Sequence, residues 1–135
     1  MGFIEFTDKG FEKVVREKLQ LSERQLTAED LLLFNGVLIA DGYSDFIEIP
    51  WHSDSSAFQM TFPNLMFNAA DSENGQWEPD LVHFSHIQAL HLYVATENLK
   101  ILKDFKNLRE LYVKSSKTAD WKFLRGLPCL SFFYT

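Results

Sequence analysis

The sequence predicts an α/β fold: a short solenoid of about five rungs, with a parallel sheet on its concave face and a helical cap at its N-terminus. Three observations carry this. First, apolar residues in 81–135 fall on a grid: Ile87, Leu90 and Leu92 are followed after 21 residues by Leu108, Leu111 and Val113, and after a further 22 by Leu130, Phe133 and Thr135. Second, the intervals between these triplets advance in threes, through Leu81 and Phe84 into Ile87, through Leu99, Leu102 and Phe105 into Leu108, and through Trp121, Leu124 and Leu127 into Leu130. A step of two suits a strand that buries alternate residues, and steps of three suit a tight 3₁₀ return. Third, such a unit cannot bury its apolar edge alone, so its neighbours must stack on it and a cap must cover the first.

The chain is taken as one domain over 1–135, with the cap at 1–33 and the repeats at 34–135. Within the cap, Thr7 or Asp8 is placed to open a helix whose apolar side is Phe11, Val14, Val15 and Leu19. Ser22 with Gln25, and Thr27 with Asp30, are each spaced like a capping box opening a new turn. The whole of residues 3–33 therefore reads as helical. The first rung is Phe34, Val37 and Ile39, and the second is Phe62, Leu65 and Phe67. Two insertions, 41–57 and 71–80, interrupt the early rungs and are expected to protrude as loops. Trp51 and Trp77 lie in them and read as plugs against the side of the solenoid, with anchoring of a ligand as the alternative. At the far end, residues 130–135 stop inside a strand. That edge is expected to be covered by a second copy, giving a homodimer, or by a local cap, or by further chain.

The grid at Leu108, Leu111 and Val113 resembles the Leu-x-x-Leu-x-Leu signature of the leucine-rich repeat family, and the return over 118–130 is similar to bacterial repeats of about 22 residues. Residues 6–19 and 26–31 also resemble the helical cap that precedes the repeats in bacterial members. The chain departs from the family at the turn asparagine, replaced here by Ala95 and Ser116. The resemblance implies a repeat scaffold, a class that hosts unrelated functions.

Composition narrows the classes further. No apolar run approaches the length of a membrane span, and the first residues lack the basic and apolar regions of a signal peptide, so a soluble cytoplasmic protein is expected. One cysteine, Cys129, leaves no internal disulfide; beside a core leucine, it reads as a buried structural thiol. The net charge of −6 is unevenly spread: residues 25–99 hold 11 acidic and no basic side chains, whereas 100–135 hold 8 basic and 3 acidic. Stacked rungs turn this into a charge gradient. An acidic middle attracts a basic partner and raises association rate more than affinity.

Candidate functional residues follow from the outward positions of the triplets, which line the concave face. The middle column reads Leu38, Met66, His91, Tyr112 and Tyr134; the next reads Ala40, Asn68, Tyr93 and Lys114; the outer reads Gly36, Asn64, Ala89, Glu110 and Phe132. Aromatic and methionine side chains on a rigid sheet supply contact area at low entropy cost, as protein-binding surfaces do. The expected partner-binding residues are thus Met66, His91, Tyr93, Glu110, Tyr112, Lys114, Phe132 and Tyr134. The stripe is otherwise covered by the insertions or the terminal cap. The expected function is a non-catalytic protein–protein interaction module. The alternative is an acidic immunity-type inhibitor that binds a basic protein through the acidic middle and the insertion loops.

Other chemistries find little support. Asp80, His83 and His86 share one side of a 3₁₀ return, but no further ligand completes a tetrahedral set, so neither a metal nor a cofactor is expected. His52, Ser53 and Asp54 are adjacent in one loop and so are poorly placed to converge as a triad. Gly36, Gly42, Gly75 and Gly126 are isolated, which leaves no phosphate-binding loop, and 71–75 lacks the alternating ligands of a calcium loop. The basic residues Lys100, Lys103, Lys106, Arg109, Lys114, Lys117, Lys122 and Arg125 alternate with core positions and read as spread over several faces, so no nucleic-acid partner is expected.

Overall fold

The computed structural model describes residues 3–21, 24–40, 65–73, 75–97, 99–116 and 121–134. Their frame is a parallel five-stranded sheet of β1 (Gly36–Ala40), β2 (Leu65–Asn68), β3 (Ala89–Thr96), β4 (Glu110–Ser116) and β5 (Phe132–Tyr134). Helices α1 (Lys9–Leu19) and α2 (Ala28–Leu31) precede it, and α3 (Trp77–Asp80) lies between β2 and β3. The fold is α/β, as the sequence predicts.

The strand register reproduces the predicted columns up to Leu92 and Val113, beyond which a register shift leaves Tyr93 and Lys114, expected in one column, unpaired in register. Val37 lies opposite Leu65 and Leu90, Leu90 opposite Leu111, and Leu111 opposite Phe133. The returns are 3₁₀ turns at Leu81–Phe84, Lys100–Asp104 and Lys122–Gly126. Their hydrogen bonds run from one apolar step to the next: Leu102 N–H donates to Leu99 O (3.0 Å), Phe105 to Leu102 (2.9 Å) and Leu108 to Phe105 (3.1 Å). The same ladder recurs through Trp121, Leu124 and Leu127 at 3.0 and 3.1 Å. The step of three is thus a hydrogen-bond period, and it turns each leucine back toward the sheet.

Strand order departs from expectation. It runs β2-β1-β3-β4-β5, so the first rung lies inside the second. A repeated triplet specifies a face and a register, but it does not specify which neighbour it pairs with. Residues 41–64, which include Trp51, Phe62, Asn64 and the whole 41–57 insertion, lie outside the described residues.

Only part of the cap is helical. Residues 3–8 are not helical, with Phe3 bridged to Thr27 and Ile4 N–H donating to Leu26 O (2.9 Å). Asp8 is the N-cap of α1, accepting from Phe11 N–H at 3.1 Å, and α1 ends with Gln20 at φ 58°. Asp30 accepts from Thr27 N–H at 2.8 Å, the predicted box, whereas positions 22 and 23 of the other box lie outside the described residues. The cap docks through aromatic rings. Phe11 stacks on Phe67 at 4.6 Å and on Phe84 at 5.6 Å, and Phe6 meets Phe11 edge-on at 5.5 Å. Each such ring, fully buried, is worth about 1.5–3 kcal/mol on transfer from water, against about 0.3–0.5 kcal/mol for a helical ion pair such as Glu12–Arg16. Apolar burial therefore holds the cap.

The 71–80 insertion does not protrude freely. Trp77 is buried in the core, as a plug should be, and Glu78 accepts from Glu97 N–H at 3.0 Å. Gly10 of α1 meets the insertion at such close range that a Cβ there would sit 1.9 Å from Asp71 O. Cys129 is exposed rather than buried. Leu130, its neighbour, takes the inward position, and in an irregular turn that fixes nothing for the preceding residue.

Candidate binding face

The outward columns of the sheet are where the sequence placed the partner-binding residues. The register aligns Leu38 with Met66 and His91, His91 with Tyr112, and Tyr112 with Tyr134. Ala40 lies opposite Tyr93, and Glu110 lies between Ala89 and Phe132. A bulge in β3 between Leu92 and Ala95 adds one residue just after the shared register, which re-aims the strand at Tyr93 and Val94. Lys114 belongs to β4, past this point.

The centre of this face is packed. Tyr93 and Tyr112 stack at 4.7 Å with 25° between their planes, and His91 lies 6.0 Å from the Tyr112 ring and 6.1 Å from that of Tyr93. An aromatic pair of this geometry contributes about 0.5–1.5 kcal/mol beyond its area. His91 Nε2 donates to Glu110 Oε2 from the neighbouring strand, and both residues are buried. Desolvation offsets much of the Coulomb gain in such a pair. Its main effect is positional: Glu110 fixes the imidazole, and the imidazole lies against both tyrosines.

Exposure corrects the expected stripe. His91, Tyr93 and Glu110 are buried, as are Leu38 and Ala40, while Tyr112 is half-buried and Met66 is 46% exposed. Alternation along a strand tells which face a side chain takes, but not whether that face is covered. Of the expected contact residues whose side chains are described, Met66 and part of Tyr112 are therefore accessible.

A second polar cluster was not legible as a unit. Asp80 Oδ1 accepts from Thr7 N–H and Oδ2 from Asp8 N–H, both at 2.8 Å. Asp8 Oδ1 accepts from Glu73 N–H at 3.0 Å in addition to its helix cap, and its Oδ2 accepts from Ser72 Oγ–H. Both carboxyls are buried. Burial pushes the Asp80 carboxyl above its ordinary range, against the two backbone donors and His83, and the neighbouring Asp8 charge adds to the rise. The spacing of Thr7 and Asp8 ahead of an apolar helix signals the cap, but nothing in the sequence pairs Asp8 with Asp80.

The histidines near Asp80 are held by backbone. His83 Nε2 donates to Glu5 O and His86 Nε2 to Phe34 O, both at 3.0 Å, while His83 stays 3.9 Å from Asp80. Among the described residues no group of His, Cys, Asp and Glu is arranged to hold a metal ion, and no helix is long and apolar enough to cross a membrane. The loop of His52, Ser53 and Asp54 lies outside the described residues. Comparison with protein-family models, with curated proteins and with solved structures finds no match for this chain, so the face is interpreted from its own geometry.

Proposed function

We propose that this chain is a non-catalytic protein-binding module, a short repeat scaffold of leucine-rich type that engages its partner along the sheet face. The supporting observation is the stacked Tyr93–Tyr112 pair, seated beside the buried His91–Glu110 pair on the parallel sheet, with Met66 exposed in line with His91 two strands away. In this reading the buried residues form a rigid base. Met66 and the accessible part of Tyr112 make contact, and the register carries the same columns on to Phe132 and Tyr134. A preorganised aromatic base lowers the entropy cost of association.

The test is quantitative capture of interacting protein from a lysate by the wild type and by Met66→Ala and Tyr112→Ala variants. Loss of a central anchor costs about 2 kcal/mol, roughly thirtyfold in affinity, while the melting temperature of Met66→Ala should move little. Equal capture by all three proteins refutes the reading. The rival, an acidic immunity-type inhibitor of a basic protein, draws on the 11 acidic and no basic side chains of residues 25–99. It requires association that weakens steeply with salt, whereas capture through Met66 and Tyr112 varies little.

A further inference from the structure

The basic residues of the C-terminal half, which alternate with core leucines in sequence, are gathered on one side by the 3₁₀ geometry. Lys100, Lys103 and Lys106 each follow an inward residue (Leu99, Leu102, Phe105), and Lys122 and Arg125 follow Trp121 and Leu124 in the next return. Residues three apart eclipse on a 3₁₀ helix, so Lys100 aligns with Lys103 in one return and Lys122 with Arg125 in the next, while Lys106 follows just past the end of its turn at Asp104. All five are exposed. The two rows lie side by side: their strands pair Glu110 with Phe132, and Lys106 Nζ reaches across to Gly126 O at 3.4 Å. Lys100 therefore corresponds to Lys122 and Lys103 to Arg125, one repeat of 22 residues apart. Arg109, also exposed, follows between that turn and β4. Asp104 is the acidic residue described on these turns, and it sits one position off the row.

The like charges of Lys103 and Arg125, brought side by side, repel one another. The arrangement becomes favourable once anionic groups lie between the rows. Along a row the cations recur about every 6 Å, the rise of three 3₁₀ residues. Alternate side chains of an extended peptide recur at about 6.6 Å on one side. Nucleic acid fits less well, because the aromatic residues beside the rows, Trp121 and Phe123, pack against the core rather than offering a stacking platform. We propose that the two rows, centred on Lys103 and Arg125, form a docking strip for an extended acidic segment of a partner protein, separate from the sheet face.

The experiment uses the full chain and a fluorescent deca-glutamate peptide, followed by anisotropy between 25 and 300 mM salt. The paired variants are Lys103→Glu/Arg125→Glu on the strip and Lys13→Glu/Lys18→Glu on the exposed side of α1, which change net charge equally. The strip variant should bind about tenfold or more weakly while the α1 variant stays within about twofold of wild type, with affinity falling as salt rises. Equal weakening by the two variants, or no binding at low salt, overturns the proposal. Preferential binding of a single-stranded oligonucleotide over the peptide overturns it in favour of nucleic acid. Met66→Ala, which tests the sheet face, should leave peptide binding unchanged, so the two readings fail independently. Thermal melting of each variant checks that the charge changes leave the fold intact.

Discussion

Replacing Gly10 by alanine should destabilise the protein, although local propensity argues the opposite. Gly10 lies in the first turn of α1, and an alanine in a helix interior gains about 1 kcal/mol over glycine. Here the added Cβ would lie 1.9 Å from Asp71 O, 3.0 Å from Asp71 C and 3.2 Å from Glu73 N. The first distance is about 1.5 Å inside ordinary contact. All three neighbours are backbone atoms, so no side-chain rotation relieves them. Either α1 or the 71–73 segment must retreat, and the hydrogen bonds from Glu73 N–H and Ser72 to Asp8 stretch with it. Overpacking of about 1–3 kcal/mol with partial loss of these bonds, less the propensity gain, leaves a net loss of about 2 kcal/mol. Urea denaturation followed by tryptophan fluorescence, to which buried Trp77 contributes, and by circular dichroism measures it. Gly126→Ala is the control, because nothing lies within 4 Å of its Cβ position, and it should be neutral or slightly stabilising. A Gly10→Ala protein as stable as wild type would refute the close approach of the insertion to the cap.

Two carboxyls should impose opposite pH dependences on stability. Asp80, raised by burial from 3.8, favours the folded state most below that value and progressively less as pH rises through its folded value, so wild type should lose stability relative to Asp80→Asn on going from pH 3.5 to 6. Asp30 is held down to about 2, first by hydrogen bonds from Arg24 and then by Thr27 N–H; its contribution is present above 3.8 and should fade as pH falls toward 2. Urea midpoints of Asp80→Asn and Asp30→Asn against wild type across this range report both, and parallel curves would contradict them. Exposed Cys129 should react with a thiol reagent in the native protein at close to one equivalent, without added denaturant. Labelling that required denaturant would place the thiol inside.

The sequence was most informative where backbone geometry sets the period. The +3, +2 grid located β3, β4 and β5 and aligned their columns, because a parallel ladder forces equivalent residues opposite one another. It could not order β1 and β2, whose triplets are as good as each other in isolation. Nor did alternation reveal that His91 and Glu110 are buried together, since polar residues on an outward column normally face water. Asp8 and Asp80 stand 72 residues apart and carry the charge that ordinarily marks a surface, so their joint burial depends wholly on tertiary packing. The lysine rows were legible in number but not in direction: the steps of three already pointed to 3₁₀ returns, but that Lys103 and Arg125 are exposed on turns whose strands pair side by side emerges only from the fold.

The interior position of β1 also bears on how the chain folds. Pairing Ala89 with Glu110 closes a loop of 21 residues, whereas pairing Gly36 with Ala89 closes one of 53. The difference in closure entropy is about 0.8 kcal/mol from length alone. The two later strands can add to β3 one short loop at a time, while β1 must be recruited across the longer span before β2 has a strand to lie against. Assembly is thus expected to run backward along the chain, with amides of β3 and β4 gaining protection from exchange in pulse labelling before those of β1 and β2.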